Sequence, residues 1–162
     1  MPRVALKQVT PKVSAAMGAL HGAAVTAAGE AGLEPELLEL VRIRASQING
    51  CGFCLDMHVK EATIHGERAL RLHHVAIWRE STLFSPRERA ALAWTEVLTT
   101  LPEHGVPDDI YERVRGQFSE KELSDLTFEV MAINAWNRAN VAFKFVPGSS
   151  DKAFGLDKAN LA

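Results

Sequence analysis

Cysteine is scarce in this chain, since only two of its 162 residues are cysteines. No stretch approaches the roughly 18 consecutive apolar residues that a membrane-spanning helix requires. The formal net charge is −2, so the sequence has no excess of positive charge for binding phosphate backbones or anionic lipids. The first residues also lack the long apolar segment of a secretory signal. These absences argue against membrane and nucleic-acid partners, and we expect a cytoplasmic protein.

The patterns that are present are helical along nearly the whole chain. Residues 12–29 are rich in alanine, and apolar residues at 35–48 recur at three- and four-residue spacing. Serines at positions 85 and 119 each begin a capping box, with glutamate three residues later. These boxes predict helices from Ser85 to about residue 100 and from Ser119 to about residue 145. No segment alternates as a strand does, so we expect an all-α fold.

Both cysteines lie in the short segment Cys51-Gly52-Phe53-Cys54, which follows Asn49-Gly50. Asn49-Gly50 ends one predicted helix, and a second begins at or near Cys51 and runs to about Ile64. Unpaired backbone N–H groups at a helix start stabilise a thiolate and lower its pKa below the usual value of about 8.5. Two sulfurs at this spacing can form a disulfide, and cytoplasmic disulfides are usually catalytic or redox-sensing. The pair is therefore predicted to be redox-active.

A histidine and a glutamate complete the candidate site. His58 follows Cys54 by four residues and Cys51 by seven, which places all three on one helix face. An imidazole there can exchange protons near neutral pH. Glu39 lies about 15 Å back from Asn49 and His58 about 10 Å beyond Cys51, at 1.5 Å rise per residue. In an antiparallel helix pair, Glu39 would therefore reach His58 directly or through a water molecule.

The spacing of Glu39, Cys51, Cys54 and His58 resembles the signature of AhpD-like proteins, in the alkylhydroperoxidase and carboxymuconolactone decarboxylase superfamily. Five flanking segments extend the resemblance: 44–50, 55–58, 76–80, 83–89 and 133–138. It covers most of the chain from about residue 30 to Gly148. The resemblance implies an AhpD-like helical bundle in one domain at 1–148, assembled as a homo-trimer or homo-hexamer. A polar C-terminal tail, whose polarity is compatible with mobility, would occupy 149–162.

The resemblance also implies a thiol-dependent reduction of hydroperoxides, with no cofactor. Cys54 would be attacked by peroxide to give a sulfenic acid, and Cys51 would resolve it to a disulfide. His58 and Glu39 would form the proton relay. An unidentified dithiol donor, of lipoyl or thioredoxin type, would reduce the disulfide again. Phe53 stands where some family members with peroxidase chemistry carry histidine, which lowers the expected peroxidase strength but not the expectation of dithiol chemistry.

Two other functions compete with the redox interpretation. Cys51, Cys54, His58 and Glu39 are all ligand types that zinc accepts, so a metal-binding or purely structural helical oligomer is the first alternative. Structural zinc sites usually take a second ligand pair from a distant segment, and no other cysteine exists here, so no metal site is predicted. The second alternative is a decarboxylase-like or lactone-acting enzyme. Decarboxylase members of the superfamily generally lack the cysteine pair.

Overall fold

The structure, a computed structural model, describes residues 3–161. Met1, Pro2 and Ala162, the outermost residues of the predicted domain and tail, lie outside the described range. All regular secondary structure within residues 3–161 is helical, so the expected all-α fold is confirmed. The α-helices are α1 (Leu6–Val9), α2 (Pro11–Glu30), α3 (Pro35–Asn49), α4 (Gly52–Ile64), α5 (Ala69–His74), α6 (Pro86–Thr100), α7 (Asp108–Arg115), α8 (Glu120–Phe143) and α9 (Asp151–Phe154). Two 3₁₀ turns lie at Val75–Ile77 and Leu156–Ala159.

The two predicted capping boxes begin α6 and α8. The backbone N–H of Glu88 donates to Ser85 Oγ at 3.2 Å, and the N–H of Ser85 donates to the Glu88 carboxylate at 2.7 Å. Ser119 and Glu122 form the same pair of bonds. Each box satisfies backbone donors that a helix start otherwise leaves unpaired. Helix α8 ends at Phe143, two residues before the expected end.

Helices α3 and α8 form the centre of the bundle. Helix α8 packs against α2, α3, α4, α6 and α7. Helix α3 has core residues on opposite faces: Leu37 and Val41 join one apolar cluster with α8, and Leu40 and Ile43 join another with α6. Because α3 is covered on several sides, two of its charged residues, Glu39 and Arg42, are buried.

The polar tail is folded against α4, which differs from the mobility that its composition allows. The 3₁₀ turn after α9 packs on α4, and Leu156 is buried. Lys60 Nζ donates to Asp56 at 2.9 Å and to Asp151 at 2.7 Å. The backbone N–H of Gly148 donates to the same Asp56 oxygen at 3.0 Å. One apolar side chain and this buried lysine therefore hold the tail beside the helix that carries the cysteines.

Helix α2 is far more exposed than its composition predicts. Within the described residues Pro11–Glu30, only Ala24 and Ala28 are buried. Residues 13–29 contain no Asp, Glu, Lys or Arg. Three larger apolar residues of α2 are exposed: Val13, Leu20 and Val25. Among residues 3–161, no helix is long and apolar enough to cross a bilayer.

Candidate active site

A glycine turn places α3 and α4 side by side. Gly50 adopts the left-handed conformation, with φ of 65°. Its N–H donates to the carbonyl of Gln47, and the N–H of Cys51 donates to the carbonyl of Ser46 at 3.0 Å. This pair of bonds is a Schellman motif, which favours glycine because a Cβ is disfavoured at positive φ. The chain therefore reverses directly before the first cysteine.

The two cysteines form a disulfide at the start of α4. Cys51 is the N-cap residue, and its Sγ accepts a hydrogen bond from the backbone N–H of Cys54 at 3.3 Å. The two Cα atoms lie 5.4 Å apart. Cys51 is 2% exposed and Cys54 is fully buried. The sulfur of Cys51 thus takes the capping place that serine or aspartate usually fills, and the predicted disulfide is present.

His58 meets Glu39 directly, as the hairpin geometry predicts. Its Nδ1 lies 2.9 Å from Glu39 Oε2 and 3.4 Å from Glu61 Oε2. His58 and Glu39 are both buried. Because Nδ1 faces carboxylates, we assign the ring proton to Nδ1, which leaves Nε2 as the nitrogen that can take or give a second proton. The predicted juxtaposition is confirmed, and the roles of the two residues stay predictions.

The surroundings of His58 favour its protonated form. Burial on its own would lower the pKa of His58, but hydrogen bonds to Glu39 and Glu61 outweigh burial and raise the pKa above its usual value. Arg42 opposes this rise through its positive charge. An imidazole with a raised pKa is a ready proton donor in a reaction near neutral pH.

A buried ion pair network extends from Glu39 into the centre of the bundle. Arg42 Nη1 donates to Glu39 Oε1 at 2.5 Å, and Arg42 Nη2 donates to Glu129 Oε2 at 2.7 Å. The Nε of Arg42 also donates to Glu129, at 3.1 Å. With His58 protonated, positive and negative charges alternate along these four residues, and Glu61, which is 38% exposed, adds a third carboxylate 3.4 Å from His58. Each buried charge of the network thus has a partner of opposite sign, as charges removed from water require.

The sequence patterns do not identify Arg42, Glu129 or Glu61 as members of the site. One signal could have found Glu129: it lies on the same helix stripe as Leu126, Val130 and Ile133. A carboxylate in an apolar stripe is rarely buried without a partner. The partner is set by how α3 packs against α8. The residue spacing along α8 does not predict that packing.

Asparagines of α8 hold the turn and touch the disulfide. Asn140 Nδ2 donates to Cys54 Sγ at 3.3 Å. Asn137 donates to Ser46 Oγ at 3.1 Å and accepts from Asn49 at 2.9 Å. These amides fix the end of α3 against α8, so that the disulfide sits between the two helices and the start of α4.

Three polar atoms in this region are buried without a hydrogen-bond partner among the described residues: His21 Nδ1, His58 Nε2 and Glu129 Oε1. The free Nε2 of His58 is therefore the ring atom through which the imidazole can exchange protons. His21, on α2, has a pKa lowered first by burial and next by the charge of Arg42. Helix α2 thus borders the buried charge network.

The arrangement fits a metal ion poorly. Glu39, His58 and Glu61 place ligand atoms within 4.8 Å of one another. However, the guanidinium of Arg42 lies against Glu39 and already supplies the positive charge there. The two sulfurs of the alternative zinc set are bonded to each other and offer no thiolates. The donor set therefore favours proton transfer over cation binding.

Residues 11–97 match the carboxymuconolactone decarboxylase family. The chain belongs to this family. Its relatives include the uncharacterized protein YdfG of Bacillus subtilis, 43% identical over 104 residues, which are 64% of this chain and 71% of YdfG. The uncharacterized protein YnjA of Escherichia coli is 35% identical over 113 residues, which are 68% of this chain and 60% of YnjA. The matched family region ends before α8, so Glu129 and Asn140 lie beyond it.

Solved structures in this family's fold agree with the predicted AhpD-like bundle. A protein of unknown function from Agrobacterium tumefaciens, described as a candidate AhpD antioxidant defence protein, is 37% identical with a TM-score of 0.82, covering 91% of this chain and 98% of that one. An uncharacterized peroxidase-related protein from Ralstonia eutropha, described as an alkylhydroperoxidase AhpD core, is 21% identical with a TM-score of 0.77, covering 89% of this chain and 75% of that one. The debrominase Bmp8 is 20% identical, with a TM-score of 0.74 and coverage of 94% and 79%. The AhpD-like family resemblance is confirmed.

Proposed function

We propose that this protein is a thiol-dependent hydroperoxide reductase of AhpD type. The observation that carries the proposal is the Cys51–Cys54 disulfide at the start of α4, on the same hairpin as the buried His58–Glu39 pair. Membership of a family with AhpD-like folds supports it. The disulfide is then the oxidised state in a catalytic cycle, and the reduced state has two thiols.

In the reduced state, Cys54 is the attacking residue. Its thiolate attacks one oxygen of the peroxide, the O–O bond breaks, and Cys54 becomes a sulfenic acid while an alkoxide leaves. His58 supplies the proton that the alkoxide needs, and Glu39 holds the imidazole in position. Because no hydrogen bond joins the imidazole to either sulfur among the described residues, we expect a water molecule to carry this proton.

Cys51 completes the cycle as the resolving residue. The proton of the Cys51 thiol passes to His58, and the Cys51 thiolate attacks the sulfur of the Cys54 sulfenic acid. The S–O bond breaks, and His58 returns the proton so that water leaves. The product is the observed disulfide. Two electrons from a dithiol donor, of lipoyl or thioredoxin type, then restore the two thiols. We place this cycle in the cytoplasm, where reducing systems regenerate thiols.

We also propose that the functional form is a homo-oligomer, a trimer or a hexamer. The surface of α2 supports this proposal, because residues 13–29 contain no Asp, Glu, Lys or Arg and leave Val13, Leu20 and Val25 exposed. Exposed apolar surface of this kind is typical of protein–protein contacts. Since α2 borders the charge network through His21, a neighbouring copy on α2 would also exclude water from that side of the site.

The test is peroxide consumption by the pre-reduced protein. The wild-type protein is expected to consume one hydroperoxide for each pair of thiols lost, measured by peroxide assay and thiol titration. The Cys54→Ser variant should lose this activity. The Cys51→Ser variant is the matched control, because it keeps one sulfur and should form a sulfenic acid once without forming a disulfide. Peroxide consumption by Cys54→Ser at the wild-type rate would refute the mechanism.

A further inference from the structure

A groove opens where α4 begins, and Cys51 forms part of its lining. Its volume is about 310 Å³, at the lower end of the range for small-molecule sites. The turn that carries Gly50 and Phe53 lines one side, and the end of α8 with the segment after it lines the other. Cys54 lies behind Cys51 and is fully buried. Cys51 lines the groove, although it is only 2% exposed, and Cys54 does not, so Cys51 is the half of the disulfide nearer to a molecule in this groove.

We propose that this groove binds a small acidic thiol as a reductant that can replace the dithiol donor, and that its thiolate attacks Cys51. The proposal rests on the proposed function, since it concerns the reduction of the same disulfide. The thiolate forms a bond to Cys51 Sγ, the Cys51–Cys54 bond breaks, and its electron pair leaves with Cys54 as a thiolate. A second thiolate then attacks the reductant sulfur, which releases a small-molecule disulfide and the Cys51 thiolate.

The contacts of Cys54 suit it to be the leaving group. Its Sγ accepts a hydrogen bond from Asn140 Nδ2 at 3.3 Å, and Asn140 is itself buried. Hydrogen bonds to a thiolate stabilise it, and a stabilised thiolate leaves faster in disulfide exchange. Cys54 also lies in the first turn of α4, where the helix start favours negative charge. Attack at Cys51 thus releases Cys54 as a thiolate that the hydrogen bond from Asn140 stabilises.

The charge of the groove indicates what kind of thiol it accepts. Among its lining residues, all of them described, Lys144 is the one side chain with a formal charge. No carboxylate lines these walls to oppose it. Phe53 and Phe145 meet edge to face with ring centroids 5.6 Å apart and form an apolar wall. An apolar wall beside a single cation suits a compact thiol that carries an acidic group.

Three thiols of similar size but different charge test the recognition step. The oxidised protein is treated with 2-mercaptoethanesulfonate, 2-mercaptoethanol or cysteamine, and loss of the disulfide is followed by mass spectrometry at equal thiolate concentration. The sulfonate should react about twofold to fivefold faster than the neutral thiol, as one exposed charge pair allows, and the amine should react slowest. Added salt should reduce the difference.

Lys144→Asn is the decisive variant, because asparagine tolerates the left-handed backbone that Lys144 adopts, with φ of 52°. It should abolish the charge preference, whereas Lys152→Asn, which changes an exposed lysine outside the groove, should retain it. The proposal is overturned if the three thiols react alike with the wild-type protein, or if Lys144→Asn keeps the preference.

The site of attack is tested with single-cysteine variants and an aromatic disulfide reagent, 5,5′-dithiobis(2-nitrobenzoate). The remaining Cys51 of the Cys54→Ser variant should react roughly tenfold faster than the remaining Cys54 of Cys51→Ser, because access controls exchange rates. The two rates should become equal in denaturant. A faster reaction at Cys54 in the folded protein overturns the proposal. No peroxide is used, so a failed peroxidase assay and a failed groove assay are distinguishable.

Discussion

The two longest helices reverse the usual relation between polarity and burial. Helix α2, with 20 residues, has no Asp, Glu, Lys or Arg at 13–29, yet it leaves most of its surface exposed. Helix α8, with 24 residues, buries five residues with polar side chains. They are Asp125, Glu129, Asn134, Asn137 and Asn140. Helix α8 departs from the usual pattern where it contacts the candidate site. Helix α2 departs from it on the surface where we propose contact with a second copy.

The two helices differ in where the partners of their unusual residues lie. The buried polar residues of α8 have partners within the same chain, including Arg42, Asn49 and Cys54. The exposed apolar residues of α2 have none of this cover in a single chain. Buried polar residues of α8 therefore include those that contact the candidate site, namely Glu129, Asn137 and Asn140. The exposed apolar surface of α2 is where we place a second copy.

The largest effect is expected from breaking the buried network at α8. Glu129→Leu removes two hydrogen bonds and leaves the buried Arg42 with a single carboxylate, Glu39. Removal of one partner from a buried ion pair typically costs about 3–5 kcal/mol. We expect a loss of this size in the free energy of unfolding, measured by urea denaturation.

The matched control for Glu129→Leu is an exposed ion pair. Asp109 and Arg113 lie 3.8 Å apart, and their side chains are 74% and 62% exposed. Asp109→Asn should cost less than about 1 kcal/mol, because solvent screens such pairs. If Glu129→Leu costs no more than Asp109→Asn, the buried polarity of α8 does not stabilise the fold in the way described.

A charged residue introduced on α2 should have an effect of intermediate size. The effect should be on assembly of the oligomer and not on folding of the chain. Leu20→Glu places a carboxylate on the uncharged face, where a neighbouring copy would bury it. Association should weaken at least about tenfold, which corresponds to about 1.4 kcal/mol. Sedimentation velocity across a range of protein concentrations measures this change.

Leu70→Glu serves as the control for the α2 variant, because Leu70 lies on α5 and is 55% exposed, close to the 46% of Leu20. It should leave the oligomeric state unchanged. A wild-type protein that stays monomeric at every concentration would contradict the proposed self-association through α2.

The smallest effect concerns the pH dependence of stability. The pKa of His58 is raised in the folded state, so the folded protein binds this proton more tightly than the unfolded chain does. The stability gained is fully present below the usual histidine pKa of about 6.5 and is lost as pH rises through the raised folded value. The difference in unfolding free energy between wild type and His58→Gln should therefore shrink as pH rises.

Glu39→Gln sharpens this measurement, since it removes the carboxylate nearest the imidazole while Glu61 and Arg42 remain. The pH-dependent part of the stability should become smaller in that variant. A difference between wild type and His58→Gln that grows with rising pH would contradict the assigned direction of the pKa shift.

Local rules account for the parts of the site that the sequence predicts. Gly50 ends a helix because it tolerates a left-handed backbone, and Ser85 and Ser119 begin helices because they form capping boxes. The meeting of Glu39 and His58 follows from counting residues along two helices that share one short turn. All of these inferences depend on residues close to one another in the chain.

The remaining features depend on contacts between distant segments. Arg42 and Glu129 are 87 residues apart, and Cys54 and Asn140 are 86 apart. Helical periodicity shows that α3 and α8 each have an apolar stripe, but not which turn of one faces which turn of the other. The packing of the tail is not predictable from the sequence for the same reason, because Leu156 and Asp151 make their contacts only with the folded α4 beside them.

The Gly50 turn makes the site depend on rotational phase as well as on residue identity. His58 and Glu39 are 19 residues apart, and each residue of an α-helix rotates the side chain direction by about 100°. One residue inserted between Cys54 and His58 would turn the imidazole away from Glu39 while every chemical group remained present. A single insertion in this hairpin should therefore disturb the His58–Glu39 contact more than a substitution around it does. The number of residues between Glu39 and His58 is thus more tightly constrained than the identity of their neighbours.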